Sequence, residues 1–166
     1  HDEVTVNAHL LKAPCAPAIE VYTGVVYDAL DVSTLRKAER TRLQRSVAIG
    51  SALFGLLRPD DLIPAYRLSG DVALLGSPAA YWREAVSAQL AAERGFILDL
   101  RSQAYSNLGP LPASTWSHSA VGRVLTERGG KRTVVSHFNK ASKGRLARAV
   151  AQQGASSLDD LIDLTK

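Results

Sequence analysis

The chain has 166 residues, one domain's length, and can bury roughly 70% of its unfolded surface. Its 46% hydrophobic and 22% charged content is that of an ordinary globular protein, and no apolar run nears the roughly 20 residues of a membrane span. A lone cysteine, Cys15, rules out an internal disulfide and a cysteine-rich zinc site, and it fits a reducing, cytoplasmic setting.

Charge is uneven. The net charge is +4, yet residues 120–150 hold eight bases against one acid, Glu127, so that stretch is +7 and the remainder −3. Such a footprint suits a polyanion or a phosphorylated ligand, or else a solvated charged face. The opening HDEVTVNAHL has no signal-peptide pattern and no initiator Met, which points to a fragment or a processed chain.

In chain order, Val4, Ala8 and Leu11 recur at helical spacing, which predicts a short helix over 3–13. CAPAIE (15–20) reads as a Pro-punctuated connector. IEVYTGVVYDAL (19–30) is β-branched early and helix-like late, so it stays ambiguous. Ser33 is positioned to cap a charged helix over 34–45. SVAIG (46–50) is a short β-type run, and 51–68 is mixed, with turns at Pro59 and Pro64. Ser77 before Pro78 marks a helix start, with Gly95 as its stop. FILDL (96–100) is a buried-strand candidate. Two strands, 121–127 and 132–138, meet across Gly129-Gly130, a hairpin signal. Asn139 is a candidate cap for a helix to Gln153, stopped by Gly154, and Ser157 with Asp160 forms a capping-box pattern. The mixture predicts an α+β fold: a mixed, partly antiparallel sheet with helices packed around it.

The helix after Asn139 bears most directly on function. At 100° per residue, Leu146, Ala149, Val150 and Gln153 share one side, leaving Lys140, Lys143, Arg145 and Arg148 on the rest of the wheel. Cations in a first turn oppose the helix dipole, a cost that a bound anion offsets. Free amides there, with His137, Asn139, Lys140 and Lys143, would suit a phosphate or carboxylate.

Three other segments are candidates. In LLRPDDLIPAYRL, Arg58 either addresses a ligand or pairs with Asp60 or Asp61 to fix a turn. Tyr66 and Arg67 lie adjacent on an extended stretch, so they point to opposite faces. In LRSQAYSNLGP, Ser102, Tyr105 and Ser106 offer hydroxyls at a strand end, with helix capping and partial burial as the bland alternative. In VYTG, Tyr22 and Thr23 precede Gly24, where a turn is the default. The four histidines lack metal-ligand spacing, and there is no P-loop, GxGxxG or GxSxG motif. No cofactor and no metal are therefore expected.

Five segments in order, VYTGVVYDAL (21–30), GSALFGLLRPDDLIPAYRL (50–68), YWREAVSAQL (81–90), LDLRSQAYSNL (98–108) and VVSHFNKASKGRLARAV (134–150), resemble the YaaA family of bacterial peroxide-stress proteins. LFGLLRPDD and SHFNKASKGRLARA look like its actinobacterial branch. The resemblance implies a cytoplasmic protein that limits hydrogen peroxide damage, linked to lower free iron. It also implies an α+β fold with a basic cleft and double-stranded DNA binding. The family's recurrent polar positions match Tyr22, Thr23, Gly24, Arg58, Pro59, Tyr66, Arg67, Ser102, Tyr105, Lys140, Lys143, Gly144 and Arg145. The family's opening strand, LxPxK loop and helix-hairpin-helix-like region are not seen before His1, so the single YaaA-like domain is expected to be N-terminally incomplete. The acidic, aromatic tail of the proteobacterial branch is also not seen.

Two functions follow as expectations. One is DNA backbone binding of low sequence specificity. The other is an enzyme acting on a nucleotide-like or phosphorylated small molecule in the same cleft, with Lys140 or Lys143 as acid or base if burial lowers its pKa. Direct iron binding is the least supported, since no His, Cys or carboxylate cluster lies near the basic region.

Overall fold

The computed structural model describes residues 2–72, 76–134 and 138–164. The fold is α+β, as the pattern predicts. The described strands form four two-stranded pairs, three antiparallel and one parallel, where the sequence suggests one mixed sheet. Most of these strands are three residues long, too short to build a broad sheet, and helices supply much of the packing.

The chain divides into two compact units whose segments alternate along the sequence. The first unit comprises His1–Val21, Val47–Glu93 and Arg101–Ser117; the second comprises Tyr22–Ser46, Arg94–Leu100 and His118–Lys166.

In the first unit, α1 (Asp2–Asn7) and a 3-10 turn (Leu10–Lys12) occupy the region where a single helix over 3–13 was expected. The Pro-punctuated stretch forms β1 (Cys15–Pro17) and a short helix, α2 (Ala18–Val21). β2 (Ile49–Ser51) and β3 (Gly55–Leu57) make an antiparallel hairpin, while β4 (Leu62–Pro64) pairs antiparallel with β1. α5 (Pro78–Ala92) starts at the Ser77-Pro78 signal and buries Val86 and Leu90. The Ser77 side chain makes no capping hydrogen bond, so proline at the first position carries that start. α6 (Gln103–Ser106) follows, and Leu108, Thr115 and Pro59 are also buried.

In the second unit, the ambiguous stretch forms α3 (Val25–Leu30). α4 (Lys37–Ser46) starts three residues later than the Ser33 cap would place it. Ser33 sits instead in a 3-10 turn (Val32–Thr34), and the Glu39 carboxylate reaches back to the Arg36 N–H at 2.8 Å and cages that start. β5 (Ile97–Asp99) pairs parallel with β6 (Ser119–Val121). β7 (Leu125–Arg128) and β8 (Lys131–Val134) form the hairpin, with φ of 57° and 76° at Gly129 and Gly130, the two positive values a type I′ turn requires. α7 (Phe138–Gln153) and α8 (Leu158–Asp163) close the chain, and the Ser157–Asp160 capping box is present. Asn139 is the second residue of α7 rather than its cap.

α7 packs along α3 on a face other than the one the helical wheel suggests. A Cβ on Gly144 would lie 2.2 Å from the Val26 carbonyl oxygen and 2.8 Å from the Ala29 Cβ, so only glycine permits this approach. Gly144 is buried, as is Ala151, a further two turns along. The close face is built from small residues, while Leu146 and Val150 are only half-buried. Val26 meets Gly144, and the end of α3 meets Arg148, so the two helices run in the same direction.

Candidate functional sites

The polar residues singled out in the sequence divide between the units. In the first unit, Tyr66 and Tyr105 lie together. The Tyr66 hydroxyl is 2.6 Å from the Oγ of Ser51, which is fully buried and also accepts the Phe54 N–H at 2.9 Å. The Tyr66 ring meets Phe54 edge-on at 5.4 Å. Tyr105 lies against Gly50 and Gly70. Burial, reinforced by the nearby Tyr66 and Asp71, pushes the Tyr105 phenol above its ordinary pKa, so it stays a neutral hydroxyl near pH 7. Arg101 lies beside Gly50, and its Nη1 donates to the Tyr105 carbonyl at 3.5 Å. Asp71 accepts from Ser69 Oγ, which holds its carboxyl low.

Arg67, next to Tyr66, is exposed, and its backbone N–H and C=O pair with the Asn7 side chain at 3.0 and 2.8 Å. The alternation expected for two adjacent residues on an extended stretch is realised. Arg58 takes part in a turn: its N–H donates to Asp61 Oδ2 at 2.7 Å, and its guanidinium reaches Glu93 at 3.2 Å. Ser102 is exposed and precedes α6 without a capping bond from its side chain.

In the second unit, the four cations of α7 have different surroundings. Lys140 and Arg145 are exposed. Five residues apart, they lie about 140° apart around the helix and do not share one stripe. Arg148 is half-buried and tied to the end of α3. Its Nη1 donates to the carbonyls of Leu30 at 2.8 Å and Asp31 at 2.7 Å, and its Nη2 to Thr34 Oγ1 at 2.8 Å. Asp31 there has φ 47°, the one non-glycine positive φ among the described residues.

Lys143 is half-buried. Burial pulls its ammonium below the ordinary lysine pKa, although the charge of Asp99 acts in the opposite sense. Asp99 is itself buried, at the carboxyl end of β5 in the parallel pair, where its carbonyl accepts the Gly122 N–H at 2.9 Å. Asn139, one turn before Lys143, has a buried Oδ1 with no hydrogen-bond partner among the described residues. Tyr22 stacks on Tyr27 at 5.6 Å, and Gly24, at φ 104°, opens α3 after Thr23. His137 lies outside the described residues.

A concave site of about 420 Å³ lies in the same unit, lined by Arg42, Ser46, Gln153, Ser156 and Asp160 among others. Arg42 Nη1 donates there to the carbonyls of Ala151 and Gln152, both at 2.7 Å. Among the described residues, no group of three or more His, Cys, Asp or Glu could hold a metal ion, and no helix is long and apolar enough to cross a membrane.

Ser51, Asp99 and Arg101 escaped the sequence reading. The available signal was FILDLR, an apolar strand ending in an acid and a base, which is an unusual place for charge unless it is used.

The model of the family described as Peroxide stress protein YaaA matches residues 1–166. A UPF0246 protein of Streptomyces coelicolor is 44% identical over 156 residues, covering 92% of this chain and 59% of that protein. A UPF0246 protein of Corynebacterium efficiens is 44% identical over 155 residues, covering 90% and 60%. One from Corynebacterium glutamicum is 39% identical over 172 residues, covering 99% and 67%. The chain thus spans about three fifths to two thirds of the length of these relatives.

Proposed function

Because the chain belongs to the Peroxide stress protein YaaA family, we propose that it serves the cytoplasmic response to hydrogen peroxide by binding the phosphate backbone of double-stranded DNA. The observation that carries this reading is that Arg123, Lys140 and Arg145, all in the stretch of charge +7, are exposed. Arg128 and Lys131 add two more cations to the same stretch of sequence. Backbone contacts of this kind carry little sequence information.

A duplex mobility-shift series over ionic strength tests the reading. Affinity should fall linearly on a log–log plot, and the double variant Arg128→Gln, Lys131→Gln should lower the slope by about 2. No duplex binding at low salt would overturn it. A second reading, an enzyme acting on a phosphorylated small molecule, is favoured by one observation: the same unit holds a half-buried lysine, Lys143, and a buried carboxylate, Asp99, at the end of a parallel strand pair.

A further inference from the structure

The concave site of the second unit is walled by the end of α4, the end of α7, the link that follows it and α8. Its two charged lining residues are Arg42 and Asp160. Each is held by one part of its headgroup. Arg42 Nη1 donates to the carbonyls of Ala151 and Gln152, both at 2.7 Å. Its Nε lies against Gly154, where an added Cβ would be 3.6 Å away. Asp160 Oδ2 accepts from the Ser156 N–H at 2.7 Å, the Ser156 Oγ at 2.9 Å and the Ser157 N–H at 3.1 Å. These bonds leave out the Nε and Nη2 edge of the guanidinium and the Oδ1 of the carboxylate.

The anchor points are close. Gly154 and Ser156 are two residues apart, so their Cα atoms lie within about 7 Å of each other. Yet among the described residues Arg42 and Asp160 form no ion pair with each other. The bonds from Ser156 and Ser157 hold the Asp160 carboxyl low, so it is an anion near neutral pH. A wholly anionic ligand would meet that carboxylate, and a wholly cationic one would meet the guanidinium. A ligand with both charges suits both walls. Val150, Gly154 and Ala155 supply the apolar lining for a short carbon skeleton, and the volume of about 420 Å³ is that of a small-molecule site.

We propose that this cavity binds a small zwitterion, an amino acid whose carboxylate docks on the Nε and Nη2 edge of Arg42 and whose ammonium docks on Asp160 Oδ1. Side-on pairing of this kind gives a guanidinium two parallel hydrogen bonds to one carboxylate. The site uses none of the cations on which the two readings above rest, so it goes beyond both.

The test is calorimetric titration of the full 166-residue chain with glycine, L-alanine, L-serine, β-alanine and 4-aminobutyrate. The series varies the spacing of the two charges, and at least one member should bind saturably, one per chain. The N-acetyl and the amide derivatives of that member each lack one charge and should bind about ten-fold more weakly or worse. Asp160→Asn should weaken binding to a similar degree. Ser46 is exposed on the cavity wall, and Ser46→Trp fills the space without removing either charge. It should abolish binding with its circular dichroism unchanged. Absence of saturable binding across the series, equal binding of the N-acetyl derivative, unchanged binding in Ser46→Trp, or inorganic phosphate binding more tightly than every amino acid would each overturn the proposal.

Discussion

At Gly144 a single added methyl group would collide with backbone. Its Cβ would enter the Val26 carbonyl, a backbone atom that cannot turn aside. Gly144→Ala should therefore cost about 1–3 kcal/mol, the usual range for overpacking. The denaturant midpoint should fall with an unchanged slope. The buried Ser51 sets a smaller scale. Tyr66→Phe removes its 2.6 Å partner but leaves the Phe54 N–H, so a loss of about 1 kcal/mol is expected from the same measurement. The alternation of Tyr66 and Arg67 was legible in the sequence because it follows from strand geometry alone. The role of Ser51 was not, because its partner lies 15 residues away and no local pattern announces that contact.

The end of α3 depends on α7. Arg148 supplies donors to two carbonyls of the α3 terminus that would otherwise lose a strong partner. Arg148→Met should cost about 2 kcal/mol, since hydrogen bonds from a charged group are the stronger kind. The exposed Arg145 offers the contrast. Arg145→Gln should leave stability within about 0.5 kcal/mol and, if α7 touches DNA, lower the salt slope by about 1. Paired urea titrations and mobility shifts on the two variants separate these roles. Elements with local signals were readable: the Gly129-Gly130 hairpin, the Ser77-Pro78 start of α5, and the Ser157–Asp160 capping box of α8. The packed face of α7 was not. A hydrophobic wheel weights Leu146 and Val150, whereas α3 approaches through Gly144, which the wheel counts as nothing. The grouping of all four cations on one side of the wheel was misleading for the same reason: Arg148 turns inward to carbonyls that sequence spacing cannot reveal.

At the scale of the whole molecule, acid should loosen the fold. Glu39 is held below the usual carboxylate range by its bond with Arg36, and Asp160 by the backbone and hydroxyl of Ser156 and by Ser157. Both carboxylates are lower in the folded chain than unfolded. Their stabilisation is complete above the unfolded values of about 4, and it is lost as pH falls through those values towards the folded ones. Thermal midpoints of the wild type should decline below about pH 5, and Glu39→Gln with Asp160→Asn should flatten that decline.

The alternation of segments between the units also bears on how the molecule is made. The second unit's segment Tyr22–Ser46 leaves the ribosome well before its packing partner α7; Leu30 and Arg148 are 118 residues apart. At roughly 5–20 residues per second, α3 waits on the order of 6–24 seconds for the helix that covers it. The first unit receives its final segment at Ser117, before β6, the hairpin and α7 have been synthesised. The nascent chain therefore carries an uncovered helix through that interval, which, rather than the finished fold, is when chaperones have most to offer it.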